Sequence, residues 1–162
     1  MTKAQRSLRT LAVHGASQAK PGIAEPKISP LFATTVFKFG SFEELDRAWD
    51  EKEGFVYSRM DNPSVRQLEE LGALLEGCDD AVAFASGMGA ITTGILSLLK
   101  PGDHVVAGDV LYGGTFTFLK EELLRNGVDV TFTDVANPEA VQQACRFNTS
   151  MIYAETITNP LM

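Results

Sequence analysis

The feature that most constrains the fold is an alternation of apolar runs with helical patterns, which begins at Asn62 and continues along the chain. Turns rich in glycine or proline separate these segments. Apolar runs without polar alternation are typical of strands that are covered on both faces. The pattern therefore predicts an α/β fold in which a parallel sheet lies between two layers of helices.

The boundaries follow from capping signals and from hydrophobic spacing. Asn62 and Pro63 are expected to begin the first helix, because an Asn side chain accepts a backbone hydrogen bond and proline fits the first helical position. Gly77 is expected to end it. The predicted helices and strands alternate over 62–77, 81–84, 88–99, 104–107, 115–125, 128–133, 138–145 and 151–154. A sheet of four strands would have an unpaired edge, so we expect the domain to be incomplete.

The first 56 residues have a different character. Pro21, Pro26 and Pro30 predict an extended arm, because proline is poorly tolerated inside helices. A short helix is expected within 43–49. The arm could pack on a neighbouring subunit or on its own domain. We therefore divide the chain into an N-terminal arm, residues 1–56, and the first part of an α/β domain, residues 57–162.

Composition excludes several classes of protein. The 162 residues carry a formal net charge of −7, which argues against a nucleic-acid or anionic-membrane partner. No apolar run reaches the length of a membrane span, and two histidines are too few for a zinc site. Cys78 and Cys145 are far apart, and we predict buried, reduced thiols of an intracellular, cytoplasmic protein.

The stretch FASGMGAI, residues 84–91, lies between a predicted strand and a predicted helix. Ligands of α/β sheets bind at the carboxyl ends of strands, and free N–H groups at a helix start favour an anion. Gly87 and Gly89 would let a bound group approach the backbone. A phosphate cradle is one interpretation, and a tight turn that needs small residues is the other.

Two further loops are expected at the same edge of the sheet. In LYGGT, residues 111–115, Tyr112 could stack on a flat ring, or it could be a packed loop tyrosine. In ETITNP, residues 155–160, Glu155 and Asn159 could orient a polar ligand, or they could serve the turn before proline. Together the three loops favour a planar, phosphorylated cofactor.

The motifs YSRMDNPS, FASGMGA, LYGGT and ETITNP occur in this order over residues 57–160. They resemble successive motifs of the Cys/Met-metabolism family of pyridoxal-phosphate (PLP) enzymes. The resemblance implies the three-layer fold of the type I PLP transferases. It also implies β- or γ-elimination, or γ-replacement, on sulfur-containing amino acids such as cystathionine, methionine, homocysteine or O-acylhomoserine.

The resemblance also implies roles for particular residues. The backbone of Gly87 and Met88 would hold the phosphate of PLP. Tyr112 would stack on the pyridine ring and take part in proton transfer, as the catalytic residue of this segment. Asn159 would hydrogen-bond the ring hydroxyl oxygen. Glu155 would not contact the cofactor but would support the residues that do. No metal is implied.

Tyr57 and Arg59 would reach the phosphate in a neighbouring subunit, which implies a homo-oligomer, a dimer or tetramer. Arg59 could do so through two hydrogen bonds. Judged from the residues alone, the pair fits a solvated loop better.

In the family, the lysine that forms the Schiff base and the aspartate that holds the pyridine nitrogen lie further along than Met162. We therefore expect this chain alone to be inactive and to be the N-terminal portion of an enzyme. Two alternatives stay open. The chain could be a short protein that binds a cofactor without catalysis or is completed by a partner chain. It could also be a nucleotide-binding α/β domain.

Overall fold

The computed structural model describes residues 7, 9–10, 27–51 and 53–158. Contacts between Cα atoms divide the chain into two compact units, Met1–Ala83 and Phe84–Met162. The proline-rich segment 21–26 and Asn159 lie outside the described residues, so the predictions that concern them remain predictions.

Among the described residues of the first unit, 27–51 and 53–83 contain helices α1 (Phe42–Asp50) and α2 (Pro63–Glu76). The backbone N–H of Glu44 donates to the Ser41 side chain and caps α1. Helix α2 begins and ends as the sequence predicts: Asn62 is its N-cap, and Gly77 ends it in the left-handed region at φ 69°. Glycine suits this position because a Cβ atom makes that conformation unfavourable.

Asn62 also joins α2 to the preceding loops. Its buried side chain accepts from the backbone N–H of Ser64 at 2.8 Å. It donates to the Phe32 carbonyl at 3.0 Å and to Ser58 Oγ at 2.8 Å. Tyr57 forms an isolated antiparallel bridge with Val36 in the same region. One amide therefore fixes the helix start, the 57–62 turn and the segment around Phe32.

The second unit is an α/β layer structure, which confirms the predicted fold class. Its elements are α3 (Gly87–Leu98), β1 (His104–Gly108), α4 (113–125), β2 (Asp129–Thr133), α5 (Pro138–Ala144) and β3 (Thr149–Tyr153). Helix α4 contains a π-helical segment, Phe118–Glu122. The strands are parallel in the order β2-β1-β3, with Val105 opposite Val130 and Met151.

The central strand β1 is buried along its whole length, as its apolar run predicts. It packs into a cluster with the inner faces of α3 and α4. The buried members of this cluster are Ile95, Val105, Ala107, Leu111, Phe118, Leu119, Leu123 and Val128. Because parallel strands end at one edge, this core presents the loops after β1 and β3 side by side.

Two expectations are wrong. Residues 81–84 form no strand within the described part of the chain. The N–H groups of Ala81 and Ala83 donate instead to the carboxylates of Asp80 and Glu69, both at 2.9 Å. The cysteines are also not buried: both thiols are free and exposed, and each cysteine lies at the end of a helix, outside the buried core.

Candidate cofactor site

The start of α3 is a helix N-terminus with two free donors. Ser86 is its N-cap, and its hydroxyl accepts from the Gly89 N–H at 3.0 Å. The Ala90 N–H donates to the Ser86 carbonyl. The N–H groups of Gly87 and Met88 have no hydrogen-bond partner among the residues that the structure describes. Two donors and the positive end of the helix dipole are therefore available to an anion.

The two glycines of this turn have different surroundings, so a small residue serves a different purpose at each position. A Cβ atom at Gly87 would meet nothing within 4 Å, so the backbone there faces open space. A Cβ atom at Gly89 would lie 3.1 Å from Ser86 Oγ and 3.7 Å from Phe84 Cβ. Gly89 therefore makes room for the capping serine, as in a tight turn that needs small residues, while the open space at Gly87 fits the alternative of a phosphate cradle.

Tyr112 lies in the loop between β1 and α4 and is the N-cap residue of α4. The residue is 48% exposed, which leaves area for stacking. One edge of the ring faces Gly114: a Cβ atom at Gly114 would lie 2.7 Å from Tyr112 Cε1 and 3.2 Å from Met88 Sδ. The turn before α3, which contains Met88, and the loop that contains Tyr112 were predicted from separate motifs. They approach each other at Gly114.

Glu155 belongs to the same edge of the sheet. It follows β3, and its carboxylate accepts from the Tyr112 backbone N–H at 3.0 Å. Tyr112 has no side-chain cap of its own for α4. Glu155 therefore supplies a negative group at the start of this helix, where the helix dipole favours it.

A layer beneath these loops was not identified from the sequence. Thr115 is fully buried and places its hydroxyl 3.9 Å from Met88 Sδ. Burial raises the pKa of Tyr153, while a hydrogen bond with the Thr115 side chain lowers it and the charge of Glu155 raises it. The sequence does indicate a role for Ser86, because a serine just before a predicted helix is a common N-cap. No sequence pattern indicates Thr115 or Tyr153, because only the packing of the folded chain brings these two residues beneath the loops.

Tyr57 and Arg59 lie in the first unit. The guanidinium carbon of Arg59 is 5.1 Å from the centroid of the Tyr57 ring, a cation–π contact. Tyr57 is half-buried and Arg59 is exposed. The guanidinium is therefore open to solvent on the side away from the Tyr57 ring. Its role at a phosphate remains a prediction.

Within the described part of the chain, no group of three or more His, Cys, Asp or Glu side chains could hold a metal ion. No helix among the described residues is long and apolar enough to cross a membrane.

Comparison with known proteins gives consistent matches. The family model described as Cys/Met metabolism PLP-dependent enzyme matches residues 9–162. L-methionine gamma-lyase of Porphyromonas gingivalis is 44% identical over 135 residues, which are 83% of this chain and 34% of that protein. The chain thus spans about a third of the length of this relative.

Solved structures give the same result. The crystal structure of metB from Corynebacterium glutamicum is similar with a TM-score of 0.87 and 32% identity, over 99% of this chain and 40% of that one. A putative O-acetylhomoserine (thiol)-lyase from Campylobacter jejuni, which contains N'-pyridoxyl-lysine-5'-monophosphate, is similar with a TM-score of 0.84 and 27% identity. The match covers 96% of this chain and 38% of that structure.

Proposed function

Because this chain belongs to the family of Cys/Met metabolism PLP-dependent enzymes, we propose that its second unit carries the phosphate and ring subsites of a PLP site. The enzyme concerned would catalyse β- or γ-elimination, or γ-replacement, on sulfur-containing amino acids. The names of the similar proteins, a methionine gamma-lyase and an O-acetylhomoserine (thiol)-lyase, support this substrate class. The reaction would be that of a carbon–sulfur lyase or a related transferase.

The observation that carries the proposal is the pair of free N–H groups at Gly87 and Met88, beside the exposed ring of Tyr112. A phosphate dianion needs donors, and the open space in front of Gly87 accommodates it. A pyridine ring needs a flat apolar partner, which Tyr112 provides. Met88 and the Tyr112 ring both approach Gly114, so the donors and the ring would serve the phosphate and the pyridine ring of one PLP molecule.

PLP, when bound, supplies an electron sink for the carbanion formed from the amino-acid substrate. The residues of this chain would bind and orient. Gly87 and Met88 would fix the phosphate, and Tyr112 would hold the ring plane and move a proton at its hydroxyl oxygen. Glu155 would hold the Tyr112 backbone, and Asn159 would donate to the ring hydroxyl oxygen.

We further propose that Tyr57 and Arg59 serve the site of a neighbouring subunit in a cytoplasmic homo-oligomer. The exposure of Arg59 beside the Tyr57 ring supports this assignment, because the guanidinium is free to form two hydrogen bonds with a phosphate. With this assignment, residues 1–56 form an arm, and residues 57–162 form the first part of the cofactor domain.

A proline substitution tests the phosphate subsite. Gly87→Pro removes one N–H donor at the first position of α3, where proline is tolerated. Ser86 is already extended, at φ −155° and ψ 154°, as a residue before proline prefers. Gly87→Ala keeps the N–H and is the matched control. We expect Gly87→Pro to weaken binding of pyridoxamine 5'-phosphate about tenfold, as for loss of a hydrogen bond to a charged group.

Pyridoxamine without phosphate measures the ring contribution, and ATP and AMP compete as nucleotides. Titration calorimetry with the full chain gives all the affinities. Equal affinity of Gly87→Pro and Gly87→Ala would overturn the phosphate assignment. Tighter binding of a nucleotide than of pyridoxamine 5'-phosphate would favour a nucleotide-binding domain instead.

A further inference from the structure

We propose that Glu155, Gly114 and Met88 act together as positioning residues that set the orientation of the Tyr112 ring. This inference deepens the proposed function and rests on it for the role of Tyr112, but the orientation itself can be tested without a ligand. We call the three residues the tyrosine clamp.

The first part of the clamp holds the backbone. Tyr112 is the last residue before α4, and its side chain makes no capping hydrogen bond. The Glu155 carboxylate, brought from the end of the neighbouring strand β3, accepts the Tyr112 N–H at 3.0 Å. This hydrogen bond joins two loops 43 residues apart. It fixes the point from which the ring projects, and a charged acceptor makes it stronger than a neutral one.

The second part of the clamp is the space at Gly114. A Cβ atom there would overlap the ring, at 2.7 Å from Cε1 and 3.3 Å from Cδ1 of Tyr112. The ring therefore occupies the volume that any larger residue at position 114 would need. Gly113, the preceding residue, differs: a Cβ atom there would meet nothing within 4 Å. Only the second glycine of the pair is required by the ring.

The third part is the Met88 thioether. A Cβ atom at Gly114 would lie 3.2 Å from Met88 Sδ, so this sulfur stands beside the ring position. The sulfur is held by the buried Thr115 hydroxyl at 3.9 Å, and the Met88 carbonyl accepts from Thr92 Oγ1 at 2.8 Å. Met88 also offers a free backbone N–H at the start of α3. One residue therefore links the proposed phosphate subsite to the support of the ring.

Two glycine variants test the clamp. Gly114→Ala should displace the Tyr112 ring, whereas Gly113→Ala, with the same composition, should not. The chain contains three tyrosines, so ring signals of 13C-labelled tyrosine can be assigned with a Tyr112→Phe variant. We expect the Tyr112 signals to shift in Gly114→Ala only. Unshifted signals in both variants, or equal shifts, would overturn the inference.

Binding of pyridoxamine 5'-phosphate provides the second measurement. We expect Gly114→Ala to weaken binding about three- to tenfold, the range of an aromatic stacking contact, and Gly113→Ala to leave it unchanged. Absence of binding by the unmodified chain would defeat the proposed function, while the tyrosine signals would still decide the clamp. A shifted Tyr112 signal with unchanged affinity would refute the clamp as a determinant of ring binding.

The Glu155 contact has its own conservative variant. Glu155→Gln keeps an oxygen acceptor for the Tyr112 N–H, and Glu155→Ala removes it. We expect Glu155→Ala to shift the Tyr112 ring signals and to lower the amide protection of Tyr112 against hydrogen exchange. Glu155→Gln should restore most of the original Tyr112 ring signals and most of the amide protection. A Glu155→Gln protein that resembles Glu155→Ala would show that the negative charge matters, and it would remove the hydrogen bond from the clamp.

Discussion

At the scale of the residue, His104 joins the three strands of the sheet through its side chain, although no sequence motif pointed to it. It is fully buried on β1 and contacts both neighbouring strands. Nδ1 lies 2.8 Å from Thr149 Oγ1 and Nε2 lies 2.8 Å from Thr131 Oγ1. A neutral imidazole satisfies both hydroxyls, because one ring nitrogen donates and the other accepts.

The environment of His104 predicts a pH effect on stability. Burial lowers the pKa of His104, the charge of Arg146 lowers it further, and Asp129 opposes this. The unfolded state therefore binds the proton more readily than the folded state. Stability from this site is present above the ordinary histidine pKa of about 6.5 and is lost as the pH falls below it.

Urea unfolding on both sides of that pH measures the effect. We expect His104→Gln, which does not titrate, to be less stable at neutral pH and to lose less stability on acidification than the unmodified chain. An identical pH dependence of the two proteins would show that His104 does not titrate differently on folding.

At the scale of the element, helix α2 shows how one cap also organises a loop. Asn62 accepts one hydrogen bond and donates two. Asn62→Asp keeps the capping acceptor and loses both donors, whereas Asn62→Ala loses all three interactions. We expect Asn62→Ala to lower the free energy of unfolding by about 2 to 4 kcal/mol, from one lost cap and unpaired buried groups.

Asn62→Asp should fall between Asn62→Ala and the unmodified chain in thermal unfolding. Equal losses for the two variants would assign the effect to the donors alone. If Asn62→Asp causes no loss of stability, the stabilisation comes from the helix cap alone. The proposal that Asn62 also fixes the 57–62 turn would then be wrong.

Helix α4 is an element whose existence hydrophobic periodicity predicts but whose first residue it does not. The sequence predicts a helix over 115–125, and α4 begins two residues earlier, at Gly113. The two glycines have low intrinsic helix propensity. The Glu155 carboxylate, from the loop after β3, stabilises this start at Tyr112, which no local pattern could predict.

At the scale of the whole molecule, the lysines give a test of the prediction that this chain alone does not complete the reaction. The sequence contains Lys3, Lys20, Lys27, Lys38, Lys52, Lys100 and Lys120. Lys100 follows the far end of α3, about 18 Å from the proposed phosphate subsite at a rise of 1.5 Å per residue. The Lys120 ammonium lies 5.6 Å from the centroid of the Phe116 ring.

We expect sodium borohydride to fix PLP on no single lysine when it is added to the full chain with PLP. Peptide mass mapping checks this, and Lys100→Arg and Lys120→Arg proteins serve as controls for background labelling. Stoichiometric labelling of one lysine would contradict the prediction and would assign the catalytic amine to this chain.

The sequence by itself determined the α/β class, the caps of α2, the order of helices and strands from Gly87 onward, and the family. These follow from local spacing, capping residues and motifs, which act within a few residues of the chain. Only the tertiary structure decided that residues 81–84 are no strand, that both thiols are exposed, and that Ser86 needs Gly89. It also brought Met88, Gly114 and Glu155 to Tyr112 and His104 to two threonines. The contacts of Glu155 and Met88 with the Tyr112 loop, and those of His104 with two threonines, join residues distant in sequence, which packing sets and no local pattern encodes. The contact between Ser86 and Gly89 is local, but its need for a glycine follows from an interatomic distance that sequence spacing does not give.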